Sequence, residues 1–127
     1  MMAVDTSALM AIVLNEPQAD DCAVTLETED RLLISAGTVA EILIVAGCRN
    51  VRDEVDRLIE GLGFEIVSVT SASARRIALA YDKWGKGIHP AGLNYGDCFA
   101  YDVAKEYSCR LLYVGDDFAR TDIQGVL

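Results

Sequence analysis

The stretch Met2-Ala3-Val4-Asp5-Thr6-Ser7-Ala8-Leu9 contains the transition that decides the fold of this chain. Its apolar triplet predicts a short buried strand that ends at Asp5. The hydroxyl groups of Thr6 and Ser7 predict the capped start of a helix that continues through Leu14, so that Asp5 is not needed as the cap. A buried strand that leads directly into a helix is the repeating unit of sheets with parallel strands.

The same alternation of strands and helices is predicted along the whole chain. The further predicted strands are Leu32-Leu33-Ile34, Phe64–Val69 and Leu111–Val114, and residues 121–127 are predicted to add a short edge strand. The further predicted helices span residues 19–28, 35–48, 51–60, 71–83 and 96–107. Asn50 is expected to cap the helix at 51–60, and Ile77 and Leu79 are expected to point inward. We therefore expect an α/β fold over residues 1–127, one domain with a central parallel sheet of four to five strands and helices on both faces.

The composition indicates one globular domain. The chain has 127 residues, of which 52% are hydrophobic and 24% are charged. This length suits one domain, and so high a hydrophobic fraction excludes a disordered chain. The longest apolar stretches are well short of the roughly 18 residues that span a bilayer. Because the N-terminal residues also lack the basic region and long apolar run of a signal peptide, we expect a cytoplasmic protein with no membrane partner.

The balance of charge is strongly acidic. Lys and Arg total 11 and Asp and Glu total 20, which gives a formal net charge of −9. On charge alone, such a chain avoids nucleic acid and acidic membranes. This exclusion weakens if several carboxylates converge on a divalent cation, because they are then ligands rather than a repulsive surface.

The cysteines and the single histidine give no sign of a zinc or redox site. The four cysteines, none of them in a C-x-x-C pair, are Cys22, Cys48, Cys98 and Cys109, and the histidine is His89. A zinc site needs a tighter grouping of such ligands. We expect the cysteines to be small buried hydrophobic residues.

Glu41 interrupts a strongly apolar helix, Val39-Ala40-Glu41-Ile42-Leu43-Ile44-Val45-Ala46. A carboxylate on such a helix is costly to bury unless it is paired or bound to a metal ion. The alternative is a side chain at the edge of the buried face that reaches solvent.

Other acids follow predicted strands or open a predicted helix. Asp5 follows the first strand, the pair Asp116 and Asp117 follows the fourth, and Asp97 comes three residues after Asn94 at the start of a helix. Each has an ordinary alternative role. Asp5 suits the positive end of a helix dipole, Asp97 and Asn94 suit a capping box, and a pair of acids in a turn is usually solvated.

These acids are expected to meet at one edge of the sheet, because the carboxyl ends of parallel strands lie on the same side. Converging carboxylates repel one another unless cations neutralise them, and oxygen-only ligands favour Mg²⁺ or Mn²⁺ over zinc. One or two such ions held by carboxylates suit in-line displacement at phosphorus, a reaction that requires neither histidine nor cysteine.

Four segments resemble, in order and spacing, the PIN-domain ribonucleases, and most of all the VapC-type toxins of bacterial toxin–antitoxin modules. These segments are Ala3-Val4-Asp5-Thr6-Ser7-Ala8-Leu9, Val39-Ala40-Glu41, Asn94-Tyr95-Gly96-Asp97-Cys98 and Val114-Gly115-Asp116-Asp117-Phe118. The resemblance extends over essentially the whole chain and implies a single PIN-like domain over residues 1–127. The loop at residues 85–93 and the tail at residues 118–123 fit one branch of these toxins.

The resemblance implies Mg²⁺-dependent cleavage of RNA by a metal-activated water, and a cognate antitoxin that inserts a segment into the active-site groove. It also implies a homodimer, for which the helices around residues 51–59 and 77–80 offer surfaces. An acidic protein that binds RNA needs local cations, and the basic side chains that could attract phosphate are Arg75, Arg76, Lys83, Lys86, His89 and Lys105.

Carried over by position, the resemblance implies an acidic core of Asp5, Glu41 and Asp97. It leaves two candidates for the fourth acid, of which Asp117 is favoured over Asp116 because it directly precedes Phe118. The groups implied to orient the carboxylates and water are Thr6, Ser7 and Asn94.

Three other functions remain open at this point: a PIN nuclease of RNA maturation, a non-nuclease Mg²⁺ phosphohydrolase, and a non-catalytic Mg²⁺-binding regulatory module. A phosphatase of the haloacid-dehalogenase type needs Asp-x-Asp after the first strand, whereas this chain has Ser7 in place of the second aspartate. A receiver module needs an acidic residue at the end of the middle strand, where this chain has Val69 and Thr70.

Overall fold

Four short parallel strands form the central sheet of the computed structural model, which describes residues 1–127. The strands are β1 (Met2–Val4), β2 (Leu32–Ser35), β3 (Glu65–Val67) and β4 (Arg110–Leu112), and their order across the sheet is β3-β2-β1-β4. In this register, Ala3 pairs with Leu33 on one side and with Leu111 on the other. The first strand is therefore central, and both of its neighbours end at the same edge.

Six helices connect and cover the strands. They are α1 (Thr6–Val13), α2 (Ala19–Thr28), α3 (Ala36–Cys48), α4 (Arg52–Leu62), α5 (Ser71–Trp84) and α6 (Tyr95–Glu106), followed by a single 3₁₀ turn at Phe118–Arg120. None of these helices combines the length and the apolar character that crossing a bilayer requires. The α/β architecture with helices on both faces is as expected.

Successive side chains of the strands point to opposite faces and so divide the core into two parts. Met2 and Val4 pack with Ile42 in a cluster that is covered by α1, α2, α3 and α4. Ala3 lies in the other cluster, where Phe99 belongs to the α5 and α6 layer. Because β1 is buried on both faces, its sequence is an apolar run rather than an alternating one.

The sheet has four strands, the lower of the two numbers expected, and two of its strands are shorter than predicted. The strand predicted at residues 64–69 is only Glu65–Val67, and the strand predicted at residues 111–114 is Arg110–Leu112. The backbone N–H of Val114 donates to the Ser7 hydroxyl instead of to a neighbouring strand. The edge strand predicted at residues 121–127 is reduced to one bridge between Leu111 and Gly125, so the sheet has four strands.

Two local predictions were wrong. Asn50 does not cap α4, because it has a left-handed backbone with φ of 59° and the residue before the helix is Val51, which makes no side-chain cap bond. Leu79 points outward and is 67% exposed, whereas Ile77 and Ala80 are buried. The buried stripe of α5 follows steps of three and four residues, and a step of two from Ile77 turns the side chain away from the sheet.

The end of α4 depends on a glycine in a left-handed conformation. Gly63 has φ of 67°, and Gly61 lies within the same helix with open space around it. We expect Gly63→Ala to destabilise the protein by about 1 kcal/mol, because a side chain disfavours this conformation. The matched change Gly61→Ala is expected to stabilise it by up to about 1 kcal/mol, because alanine favours a helix. Urea denaturation measures both, and effects of the same sign would contradict this account.

Candidate active site

Asp5 lies where β1 ends and is only 3% exposed. Its Oδ2 accepts hydrogen bonds from the backbone N–H of Ser7 at 3.1 Å and from the Ser7 hydroxyl at 2.7 Å. Asp5 is therefore the cap of α1, and the expectation that the hydroxyl residues cap the helix in its place was wrong. The other oxygen, Oδ1, is buried and has no hydrogen-bond partner.

The environment of Asp5 favours its neutral form. Burial raises the pKa of its carboxyl from 3.8 to about 6, the bonds from Ser7 act in the opposite direction, and the negative charge of Glu41 adds to the rise. A carboxyl whose pKa is raised by burial next to another acid is typical of functional sites as well as of strained cores.

Glu41 is half-buried at the point where α1, α3 and α6 meet. The hydroxyl of Thr6 donates to its Oε1 at 2.6 Å. On the α6 side, the carboxylate lies directly against the bare Cα of Gly96. Glu41 is thus a paired and partly buried acid rather than a solvated residue at the edge of the helix.

Asp97 forms the capping box that its spacing from Asn94 suggests. Its backbone N–H donates to Asn94 Oδ1 at 2.8 Å, and the backbone N–H of Asn94 donates to Asp97 Oδ2 at 3.0 Å. The pKa of Asp97 is raised from 3.8 to about 7, first by burial and then by the negative charges of Asp5, Asp117 and Glu41. The capping role and the clustering of acids therefore coexist at this residue.

The two acids after β4 differ in their relation to the cluster. Asp116 and Asp117 are both exposed, and Asp117 precedes the 3₁₀ turn without making a side-chain cap bond. The negative charge of Asp117 contributes to the raised pKa of Asp97. Asp117 is therefore the better placed of the two for a fourth acid.

The three partly or fully buried acids share one pattern. In each, a protein donor engages one carboxylate oxygen, which is Oδ2 in Asp5, Oε1 in Glu41 and Oδ2 in Asp97. The second oxygen of each acid accepts no hydrogen bond from the protein. The donors are the hydroxyls of Ser7 and Thr6 and the backbone N–H groups of Ser7 and Asn94.

These free oxygens fit a hard divalent cation, although the protein alone does not form a complete cage. No three His, Cys, Asp or Glu side chains lie close enough together to enclose a metal ion. Mg²⁺ commonly binds through one or two carboxylates and keeps several waters, so a complete cage is not required. The buried, unpartnered Oδ1 of Asp5 is the atom that most needs such a partner.

Other sequence predictions meet a mixed outcome. Cys22 and Cys98 are buried as expected, but Cys48 is exposed because it lies in the last turn of α3. Two of the candidate phosphate-attracting cations are already paired. Arg76 Nε lies 2.8 Å from Asp102 Oδ1, and Lys105 Nζ lies 2.9 Å from Oδ2 of Asp122 in the C-terminal tail.

Asp102 is a buried charge that the sequence analysis missed. It is 6% exposed on α6 and accepts two hydrogen bonds from the guanidinium of Arg76 on α5. The signal was the same as for Glu41, an acid among apolar neighbours in a helix. Its partner shows that this signal alone does not separate a structural ion pair from a functional acid.

Comparisons with known proteins give one consistent result. The PIN domain family model matches residues 2–124 of the chain. The protein called VapC ribonuclease Mb0640, from Mycobacterium bovis, is 38% identical over 128 residues, which cover 98% of each chain.

Solved structures agree at the level of the fold. VapC20 of Mycobacterium tuberculosis, described as a toxin that cleaves the sarcin–ricin loop, superposes with a TM-score of 0.81 at 11% identity, over 99% of this chain and 98% of that one. A chain of a toxin–antitoxin complex from Klebsiella pneumoniae has a TM-score of 0.70 at 18% identity, over 96% of this chain and 93% of that one.

The raised pKa values predict how the metal-free protein responds to pH. Asp97 binds its proton more tightly in the folded state, with a pKa of about 7, than at the unfolded value of 3.8. Its contribution to stability is therefore complete below about pH 4 and is lost as the pH rises to about 7. Asp97→Asn keeps an acceptor for Asn94 and removes the charge. We expect the variant to gain about 1 kcal/mol relative to the parent between pH 5 and pH 8, after allowance for solvent screening.

Urea denaturation in the presence of a chelator measures this difference. Asp30→Asn, at an exposed acid outside the cluster, is the matched control and should follow the parent at both pH values. If the free energies of unfolding of the parent and of Asp97→Asn changed with pH in parallel, the cluster would not perturb the pKa of the Asp97 carboxyl.

Proposed function

The chain belongs to the PIN-domain family, and on that basis we propose that it is a metal-dependent endoribonuclease that acts as the toxin of a toxin–antitoxin pair. The 38% identity to a protein called a VapC ribonuclease, over 98% of each chain, supports the ribonuclease activity. The similarity of the fold to that of VapC20, a toxin, supports the toxin role. The structural observation that carries the proposal is the set of three acids, each with one oxygen held by the protein and one left free.

We propose that Asp5, Glu41 and Asp97 hold Mg²⁺ or Mn²⁺, with Asp117 as the fourth acid. The free oxygens are the proposed ligands, one or two of them in direct contact and the others through water, because a hard cation of this kind keeps several waters. When bound, the ion activates a water for attack at phosphorus and stabilises charge on the leaving oxygen.

In this proposal the neighbouring groups set which oxygen of each acid faces the ion. Ser7 donates twice to Oδ2 of Asp5, so Oδ1 is the oxygen that remains. The Thr6 hydroxyl donates to Oε1 of Glu41 and leaves Oε2, and the backbone N–H of Asn94 donates to Oδ2 of Asp97 and leaves Oδ1. Donors that hold a ligand in one orientation reduce the cost of organising the site when the cation arrives.

Because two of these acids have raised pKa values, the affinity for the proposed cation is expected to depend on pH. Near neutral pH, Asp5 and Asp97 retain part of their protons in the metal-free protein, with pKa values of about 6 and 7. A divalent cation must displace those protons, so its affinity is expected to increase as the pH rises through this range.

RNA is the proposed substrate despite the net charge of −9. Local cations must then offset the acidic surface, because phosphate contacts dominate the affinity for nucleic acids. Arg75, Lys83 and Lys86 are exposed and take part in no ion pair of the structure. Together with His89, whose Nδ1 accepts a hydrogen bond from the backbone N–H of Ala91, they are the candidates that remain after Arg76 and Lys105 are assigned to structural pairs.

The proposed partners are a cognate antitoxin and a second copy of the chain. The similarity to a chain from a toxin–antitoxin complex supports the antitoxin. For the second copy, α5 presents the exposed side chain of Leu79, which no residue of the chain covers.

The proposed site predicts which acids the reaction requires. We expect Asp5→Asn, Glu41→Gln and Asp97→Asn each to lower the Mg²⁺-dependent cleavage of RNA on the order of 100-fold or more, because each removes a charged ligand. Asp117→Asn is expected to lower it more than Asp116→Asn. Cleavage of labelled RNA in the presence of Mg²⁺, with circular dichroism as a test of folding, measures these effects.

Glu60→Gln is the matched control for the carboxylate changes, because Glu60 is an exposed acid on α4 away from the cluster. It should retain the activity of the parent. If Glu41→Gln cleaves RNA as fast as Glu60→Gln does, the proposed set of acids is wrong.

The toxin role predicts an effect on growing cells. Expression of the chain alone in bacteria should arrest growth, and co-expression of its antitoxin should restore it, because the partner occupies the site. The Glu41→Gln variant, expressed at the same level, should be harmless. Unimpeded growth at high levels of folded, RNA-cleaving parent protein would favour a nuclease of RNA maturation instead.

A further inference from the structure

Gly96 is a glycine that its own backbone does not require. It occupies the second position of α6 and does not have the positive φ that favours glycine elsewhere in the chain. Without such a φ, glycine offers the backbone nothing that alanine does not, and it loses more conformational freedom on folding. The absence of a side chain at this position therefore needs a cause outside α6.

The neighbour that excludes a side chain from this position is Glu41. A Cβ built on Gly96 would meet three nearest heavy atoms, and all three belong to the Glu41 carboxyl group, with Oε1 at 2.8 Å and Oε2 and Cδ closer still. Ordinary van der Waals contacts of this kind measure 3.4–4 Å. On its other side, the same carboxylate accepts the hydrogen bond from Thr6.

A second contact sets the spacing of the two helices independently of Glu41. Gly37, in the first turn of α3, lies against the ring of Phe99 on α6, and a Cβ on Gly37 would overlap that ring. The approach of α3 to α6 is therefore set by the packing of the Phe99 ring. The carboxylate of Glu41, at the end of a flexible side chain, is the easier of the two to displace.

We propose that Gly96 is a positioning residue of the site: the missing side chain lets the Glu41 carboxylate lie between Thr6 and the start of α6, beside Asp97, where a divalent cation can use its free oxygen. This inference rests on the proposed function for its consequence, the binding of the cation. The contact itself is a property of the metal-free protein.

The substitution Gly96→Ala tests the contact first without metal. In a crystal structure of the metal-free variant, we expect α3 and α6 in their present places. The Glu41 carboxylate should have moved away from residue 96 and lost its hydrogen bond from Thr6. A variant in which this carboxylate keeps its place and its bond would overturn the proposal.

The second readout is the affinity for Mn²⁺, measured by isothermal titration calorimetry. Gly96→Ala is expected to weaken binding about 10-fold or more, as the loss of an oriented ligand commonly does. Gly61→Ala is the matched control, a helical glycine with no atom within 4 Å of an added Cβ, and should bind Mn²⁺ as the parent does. An affinity of Gly96→Ala equal to that of Gly61→Ala would overturn the proposal.

A double variant separates positioning from a general loss of structure. Glu41→Asp shortens the side chain by one methylene group, which leaves room for a Cβ at residue 96. We therefore expect Gly96→Ala to cost no Mn²⁺ affinity in the Glu41→Asp background. An equal loss in both backgrounds would mean that residue 96 acts otherwise than through Glu41.

The two proposals fail in different ways. A parent that neither binds Mn²⁺ nor cleaves RNA contradicts the proposed function and removes the consequence drawn for Gly96, while the metal-free crystal structure still decides whether Gly96 places Glu41. If the parent binds Mn²⁺ and cleaves RNA, and Gly96→Ala changes neither the position of the Glu41 carboxylate nor the Mn²⁺ affinity, only the positioning role is contradicted.

Discussion

The hydroxyl of Ser7 joins the buried carboxylate of Asp5 to the end of the neighbouring strand. It donates to Asp5 at 2.7 Å and accepts from the backbone N–H of Val114 at 3.0 Å. The backbone N–H of Asp5 also donates to the carbonyl of Leu112 at 3.0 Å. The ends of β1 and β4 and the start of α1 are thereby fixed at one point, and Thr6 in the same turn of α1 bonds to Glu41.

The acids that make the site are unfavourable neighbours in the protein by itself. Burial and mutual repulsion raise the pKa values of Asp5 and Asp97, and Oδ1 of Asp5 has no partner. The fold accommodates this cost through donors that engage one oxygen of each acid and through a core on both faces of the sheet. Stability that is given up at a site and supplied elsewhere is a common compromise in proteins that bind a ligand there.

Sequence patterns worked best where the physics is local. The order of strands and helices and the capping box of Asp97 both follow from spacings of a few residues. Sequence patterns failed where a residue remote in the sequence takes a hydrogen bond or pairs with a charge. The strand before Val114 ends early because Ser7, more than 100 residues away, takes its N–H group. Asp102 resembles Glu41 in sequence, and its role as an ion pair is decided by Arg76 on another helix.

The sequence by itself determined the class of fold, the family, and the acids Asp5, Glu41 and Asp97 as the residues to consider. These depend on periodicity, caps and the order of motifs, which a single chain displays without its neighbours. Only the tertiary structure decided which oxygen of each acid is free and that Gly96 lies against Glu41. The reason is physical: the distance between two helices is set by the packing of residues remote in sequence, and no local pattern encodes it.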